Sequence, residues 1–248
     1  RTAISPLFAI STLENTTYLH PMPFERAKAA LSGTRFEDLR WVAETGSTNA
    51  DMVEILRTQD PSEDRRPAVL IADHQTAGRG RRDRTWDAPA GASLLMSIGL
   101  PVGDIDAERW PLVNAAVALA AVDAAPDLRV KWPNDLVAVG AGADGSALKV
   151  GGILAELHED LGGLGACIVI GLGLNLNWGE MPAELASSAT SLDVLLGGDV
   201  AADVIVTDLL VSLDSRWLGL LGRSSPDVTE ILDAYRSRSA TIGPSIAS

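Results

Sequence analysis

HQTAGRGRRDRTW, residues 74–86, sets Arg79, Arg81, Arg82 and Arg84 within six consecutive positions of a 248-residue chain whose formal net charge is −13. What flanks this stretch decides how it is held. AVLIAD (68–73) runs into it and SLLMSIGL (93–100) leaves it, both apolar and rich in strand formers, so the arginines sit on an excursion between two strands. Gly78 and Gly80 allow positive φ and close approach of a ligand to the backbone. Guanidinium groups pair with phosphate and carboxylate oxygens through two hydrogen bonds at once. The loop therefore suits a phosphate-bearing ligand, although a solvated basic turn has the same composition.

The rest of the composition narrows that reading. A chain of this length forms one large domain or two small ones, and 46% hydrophobic residues are ample for a core. PLVNAAVALAAVDAAP (111–126) is the most apolar run, and Asn114 and Asp123 interrupt it well short of the ~20 residues that span a bilayer. No basic segment followed by an apolar run opens the chain, so neither a secretory leader nor a membrane association is expected. The single cysteine, Cys167, lies in ACIVIG, where a buried small hydrophobe is expected; with no internal disulfide available, the chain fits a reducing cytoplasm. An acidic protein with one short basic loop is unsuited to coating nucleic acid, which needs a broad basic surface. A small anionic ligand fits it better.

Along the chain, residues 1–36 have several prolines and little periodicity, and read as an irregular or weakly helical lead-in without a helix-turn-helix. LRWVAET (39–45) is a short strand, after which Ser47 or Thr48 can cap a helix through NADMVEILR with Met52, Val53, Ile55 and Leu56 as its buried stripe. QDPSEDRRP (59–67) is an exposed loop. A long alanine-rich helix is expected over 108–124, then strands at LRVKWP, LVAVG, LKVGGILAEL and ACIVIGLGLNL, and closing helices over 201–222 and 226–238, the last with a proline in its first turn. Strands outnumber helices mid-chain without regular alternation. The expected class is α+β, a mixed, largely antiparallel sheet flanked by helices, rather than a doubly wound parallel sheet.

Several further residues carry chemistry. Trp132 is expected in the core, whereas Trp86, at the end of the arginine loop, is balanced between core and base stacking. KWPND (131–135) offers Lys131, Asn134 and Asp135 at a strand end, able to orient phosphate or Mg²⁺ or simply to make a turn. Lys149 enters an apolar strand, which is costly unless its charge meets a partner, and Gly151 and Gly152 mark close approach of ligand or backbone. Asn175 and Asn177 end GLGLNLN, where their amides reach a ribose or phosphate or serve as turn formers. No phosphate-binding GxxxxGK[ST] occurs. His20, His74 and His158 are dispersed, so no zinc site is expected, and His74 reads as structural.

Taken together, GSTN (46–49), QTAGRGRR (75–82), KWPND (131–135), KVGGIL (149–154) and GLGLNLN (171–177) resemble, in order and approximate spacing, the biotin protein ligases, biotin–[acetyl-CoA-carboxylase] ligases, over about residues 38–240. The resemblance implies a sheet related to those of the class II aminoacyl-tRNA synthetases and lipoate ligases. It also implies ATP, biotin and Mg²⁺ as cofactors, and two half-reactions. The carboxylate of biotin attacks the α-phosphate of ATP to give biotinyl-5'-AMP, and a lysine of a biotin carboxyl carrier protein domain then takes the biotinyl group. Ser47, Thr48 and Gln75 are expected on the ureido head of biotin, with Asn49 supporting them. Arg79, Arg81 and Arg84 are expected on phosphates with Gly78 and Gly80 shaping the loop, and Trp86 near the adenine. Asn134 and Asn175 are expected to face the nucleotide, with Gly151 and Gly152 beside the ligand. Lys149 and Arg79 are expected at the reaction centre, and Asp135 near the metal or the incoming lysine. No protein side-chain metal cluster is expected.

Three departures from the family pattern stand out. Asp83 occupies a usual glycine position, VAVGAGADGSA lengthens the segment before Lys149, and the chain stops at Ser248 without the family's small C-terminal barrel. The expected division is an N-terminal extension (1–37), a catalytic domain (38–240) and a tail (241–248), with no DNA-binding domain. A lipoate or octanoate ligase or transferase of the same fold is the alternative.

Overall fold

The computed structural model describes residues 24–60, 66–82, 84–222 and 227–241. Asp83, most of the lead-in and tail, part of the 59–67 loop and Pro226, the expected first-turn proline, lie outside these. The described residues form one seven-stranded sheet. In chain order its strands are β1 (Asp38–Thr45), β2 (Ala68–Gln75), β3 (Ser93–Pro101), β4 (Leu128–Lys131), β5 (Asp135–Ala138), β6 (Leu148–His158) and β7 (Cys167–Asn175). Their spatial order is β1-β2-β3-β7-β6-β5-β4. Only β1 and β2 are parallel, and every other neighbouring pair is antiparallel. A parallel pair needs a crossover; helix α2 (Thr48–Thr58) supplies it. The mixed, largely antiparallel α+β sheet expected from the sequence is therefore the observed one.

Period-two alternation sends each central strand into two different environments. From β3, Leu94, Met96, Ile98 and Leu100 enter the large core, as do Ile168, Ile170, Leu172 and Leu174 of β7. Four helices cover that face: α1 (Glu25–Leu31), α3 (Trp110–Ala124), α5 (Ala202–Leu220) and α6 (Val228–Ser237), with a short α4 (Leu192–Leu196) beside them. The second face is only partly covered. There α2 lays Met52, Ile55 and Leu56 on Ala68, Leu70, Cys167 and Val169. Val53, expected in the same stripe, is only partly buried. Beyond α2 this face stays open, and the candidate site lies there.

The helix ends differ from expectation in instructive ways. Ser47 is the N-cap of α2 but makes no side-chain capping bond; the Thr48 N–H is met by Gln75 Oε1 at 2.8 Å instead. Helix α6 is capped by Asp227, whose carboxylate accepts from Glu230 N while the Glu230 side chain accepts from Asp227 N, a reciprocal box. The lead-in contains α1, with Ala27 and Leu31 buried and Phe24 and Phe36 beside them. A boundary at residue 37 thus does not mark the edge of the core. The periodic signal was too short to read because α1 has seven residues and only two buried positions.

Candidate active site

The open part of the second face is floored by glycine. Register places Leu95, Gly173 and Gly152 side by side across β3, β7 and β6, and Ser97, Gly171 and Leu154 in the next row. A Cβ on Gly173 would stand 2.5 Å from Trp86 Cε2, and one on Gly171 would stand 2.5 Å from Asn49 Oδ1. Absence of side chains at these two positions is what lets the Trp86 indole and the Asn49 amide lie directly on the sheet. A cavity of about 250 Å³ results, walled by the GSTN turn, the arginine loop, residues 133–135 and Lys149.

The arginine loop closes on itself as a miniature hairpin. Arg79 and Thr85 bridge, Gly80 N donates to Arg84 O at 2.7 Å, and Trp86 N donates to Gly78 O at 3.0 Å. Among the loop's described residues the left-handed one is Arg82, with φ 57°, and not either glycine. Expectation of positive φ at Gly78 and Gly80 is thereby corrected. Proximity requires glycine at 78, where a Cβ would meet Trp86 O at 2.2 Å, and leaves little room at 80, where one would stand 3.2 Å from Arg84 O.

At one end of the cavity lies a chain of hydroxyls and amides. Thr48 Oγ1 contacts Gln75 Oε1 at 2.9 Å and Ser97 Oγ at 2.7 Å, and Ser97 Oγ contacts Asn49 Oδ1 at 2.6 Å. Both terminal amides are fixed in orientation. Asn49 Nδ2 donates to Glu156 Oε2 at 2.7 Å, and Gln75 Oε1 already accepts from Thr48 N. Two hydroxyl protons therefore serve three oxygen-to-oxygen contacts, and the chain is one donor short. Ser47, buried and lining the cavity, adds a hydroxyl that the helix does not use.

At the other end the site is cationic. Lys149 Nζ pairs with Asp135 Oδ1 at 2.6 Å and stands 5.6 Å from the Trp86 ring centroid. The partner demanded by a lysine entering an apolar strand is thus Asp135. Arg81 Nη1 donates to Asn134 Oδ1 at 3.0 Å, and Asn134 Nδ2 donates to Ile153 O at 3.1 Å. Arg79 Nη2 pairs with Glu156 Oε2 at 2.9 Å. The indole N–H of Trp86 is buried and has no hydrogen-bond partner.

Ser47, Thr48, Asn49, Gln75, Arg79, Gly80, Arg81, Arg84, Trp86, Asn134, Asp135, Lys149 and Gly152 all line this one cavity. Three expected residues do not. Gly151 lies on the opposite face, where a Cβ would meet Gly173 O at 2.8 Å and Leu174 Cδ1 at 2.9 Å, so it is a packing glycine. Gly78 is absorbed in the loop's own turn. Asn175 is buried outside the cavity lining, where it donates to Thr190 O at 3.0 Å and accepts from Ser93 Oγ at 3.3 Å. Asn177 likewise holds Val200 through both amide atoms. Trp132, expected in the core, is 67% exposed. The sequence reading missed Ser97 and Glu156. Both were marked by strand alternation, as polar residues on the face of Leu95 and Gly99 in β3 and of Gly152 and Leu154 in β6.

With the site described, comparison with known proteins places the chain. Residues 46–175 match the biotin/lipoate A/B protein ligase family, and the chain belongs to that family. Among its relatives it is 36% identical over 223 residues to the biotin–[acetyl-CoA-carboxylase] ligase of Mycobacterium tuberculosis, spanning 86% of this chain and 74% of that protein. It is 28% identical over 174 residues to the bifunctional ligase/repressor BirA of Bacillus subtilis, covering 67% of this chain and only 51% of that one. The biotin protein ligase of Aquifex aeolicus, solved in complex with biotin and ATP, superposes with a TM-score of 0.61 at 26% identity, covering 83% of this chain and 79% of that one.

Proposed function

We propose that this protein activates biotin with ATP to biotinyl-5'-AMP and transfers the biotinyl group to a lysine of a biotin carboxyl carrier domain. The observation that carries this reading is the polarity of one cavity: an acceptor-rich chain, one proton short, at one end and Lys149 with the arginine loop at the other. A ureido group brings two N–H donors and one carbonyl. The donors complete the Asn49–Ser97–Thr48–Gln75 chain, and the carbonyl takes the free hydroxyl of Ser47. The dithiolane of lipoate has no donor, and a site built around hydrogen bonds rejects a ligand that lacks them.

In this reading the valeryl chain runs past the Trp86 indole, which itself covers Gly173, and brings its carboxylate to Lys149. The carboxylate oxygen attacks the α-phosphorus, the bond to pyrophosphate breaks, and negative charge grows on the equatorial oxygens beside Nζ. Asp135 orients Lys149, Trp86 offers a ring face for the adenine, and Arg81 and Arg84 cover the phosphates. In the second step an uncharged lysine amine attacks the acyl carbon, the bond from that carbon to the phosphate oxygen breaks so that AMP leaves, and the nitrogen gives up a proton to water. Mg²⁺ that accompanies ATP supplies further charge neutralisation. It binds typically through one or two carboxylates, waters and substrate phosphates, and Asp135 is the carboxylate at the cavity wall able to join such a set.

Release of pyrophosphate from ATP is the test. Biotin-dependent release, with none on addition of lipoate, is the expected result; release driven by lipoate, or independent of both, would overturn the assignment.

A further inference from the structure

One carboxylate outside the expected set sits where two ligand-binding segments meet. Glu156 projects from β6 onto the open face, in register with Val169 of β7 and two residues beyond Leu154 of the cavity wall. Its Oε2 accepts from Asn49 Nδ2 at 2.7 Å and from Arg79 Nη2 at 2.9 Å. Asn49 belongs to the N-terminal turn of α2, which is firmly placed: it is 3% exposed, with Oδ1 on Ser97. Arg79 opens the arginine loop, which also reaches the site through Arg81 on Asn134 and, at its far end, through the Trp86 ring on Gly173. One oxygen thus joins a rigid buried amide to an exposed loop cation. We propose that Glu156 is a positioning residue that anchors the arginine loop, through Arg79, to the turn that binds the head of the substrate.

The chemistry fits the task. A carboxylate oxygen accepting two donors holds both more tightly than an amide does, because each bond is charge-assisted. Through Asn49 the anchor continues to Ser97, Thr48 and Gln75, so a single polar network runs from the first arginine of the loop to the head-group end of the cavity. Without it, the Arg79 end of the loop would lose its charge-compensating contact with the sheet, leaving Arg81 on Asn134 and Trp86 on Gly173 to hold the rest. The half-exposed Arg79–Glu156 pair contributes little to global stability; its effect is local, on the closed geometry of the loop.

Two substitutions separate the parts of this role. Glu156→Gln keeps an oxygen for Asn49 and removes the charge facing Arg79, whereas Glu156→Ala removes both. Amide hydrogen exchange over residues 78–82 in the ligand-free protein reads loop closure directly. In Glu156→Gln it should quicken by about tenfold, the effect of replacing a charge-assisted bond by a neutral one. Added salt should speed exchange in the parent and have little effect in the variant. In an Arg79→Ala background the Gln substitution should add nothing. Biotin affinity, measured by calorimetry, should stay near parental in Glu156→Gln and fall in Glu156→Ala. Parental exchange rates in Glu156→Gln, or a Gln effect that persists without Arg79, would overturn the proposal. The calorimetric arm rests on the biotin-activating reading and the exchange arm does not, so failure of either idea is distinguishable from failure of the other.

Discussion

Lys149 and Asp135 form an ion pair with Nζ and Oδ1 2.6 Å apart, joining β6 to the end of the KWPND segment at the cavity wall. Both side chains keep about a third of their surface exposed, 38% and 31%. A pair in such a position contributes at most ~1 kcal/mol to folding. Its value is in aiming a cation at the place where charge grows during adenylation. Lys149→Ala should therefore cut single-turnover adenylate formation by ~100-fold or more, while the melting temperature moves by only a few degrees. If the variant forms adenylate within a factor of a few of the parent, the cation of the reaction is another residue, with Lys131 next to be tested.

Gly173→Ala should close the site without unfolding the sheet. A methyl group there would stand 2.5 Å from the Trp86 ring, and the ring is held by its own backbone bond to Gly78. The indole must lift from the floor, into the volume the ligand needs. Tryptophan emission in the ligand-free variant should shift to the red, and biotin binding should fall by at least tenfold. Unchanged emission with parental affinity would show that Trp86 does not lie on Gly173.

Asp193 governs a pH-dependent clamp between the segment after β7 and α4. Partial burial pushes its carboxyl up, but hydrogen bonds from the Ser191 hydroxyl and from the backbone N–H groups of Gly179 and Val194 outweigh that and hold it below the ordinary carboxylate value. A depressed folded pKa adds stability that is fully present above the unfolded value, ~3.9, and is lost as pH falls through the folded one. Asp193→Asn should thus be less stable than the parent at neutral pH. That difference should shrink below about pH 4. Urea midpoints at pH 7 and pH 3 test this, and a pH-independent difference would contradict it.

How much of this was legible in the sequence follows from which residues report on one segment and which on two. The strands announced themselves as short apolar runs between turn signals, and the arginine loop through its composition. Residues that meet across the sheet were not legible, because register decides them. Asn175 looked free at a strand end and is instead turned inward onto Thr190 and Ser93. Gly151 and Gly152 looked equivalent, yet adjacent strand positions face opposite sides, so only Gly152 reaches the cavity. Trp132 belied the tendency of tryptophan to be buried because the chain turns at Pro133, where strand β4 has already ended. Alternation put Ser97 and Glu156 on the glycine-bearing face of their strands, but that they meet Asn49 there depends on how β3, β7 and β6 lie side by side.

Arg81 ties the loop to the far wall of the cavity, donating to Asn134 Oδ1 at 3.0 Å, while Asn134 is itself fixed by its Nδ2 on Ile153 O and by its carbonyl, which accepts from Ile153 N at 2.9 Å. Across the cavity mouth the loop thus has a latch on the side opposite to Glu156. Removing the guanidinium should leave the chemistry of adenylation largely intact, because Lys149 and the acceptor chain are untouched. What should change is retention. A hydrogen bond from a charged group is worth ~1.5–3 kcal/mol, so Arg81→Ala should release bound adenylate roughly ten- to a hundredfold faster. Biotinyl-5'-AMP that escapes is an acylating agent and should label an unrelated lysine-rich protein mixed into the assay. Asn134→Ala should reproduce the leak if the latch is the pair, whereas a leak confined to Arg81→Ala would mean that Arg81 holds the adenylate directly. Should neither variant label the bystander more than the parent while both still form adenylate, retention does not depend on this side of the loop.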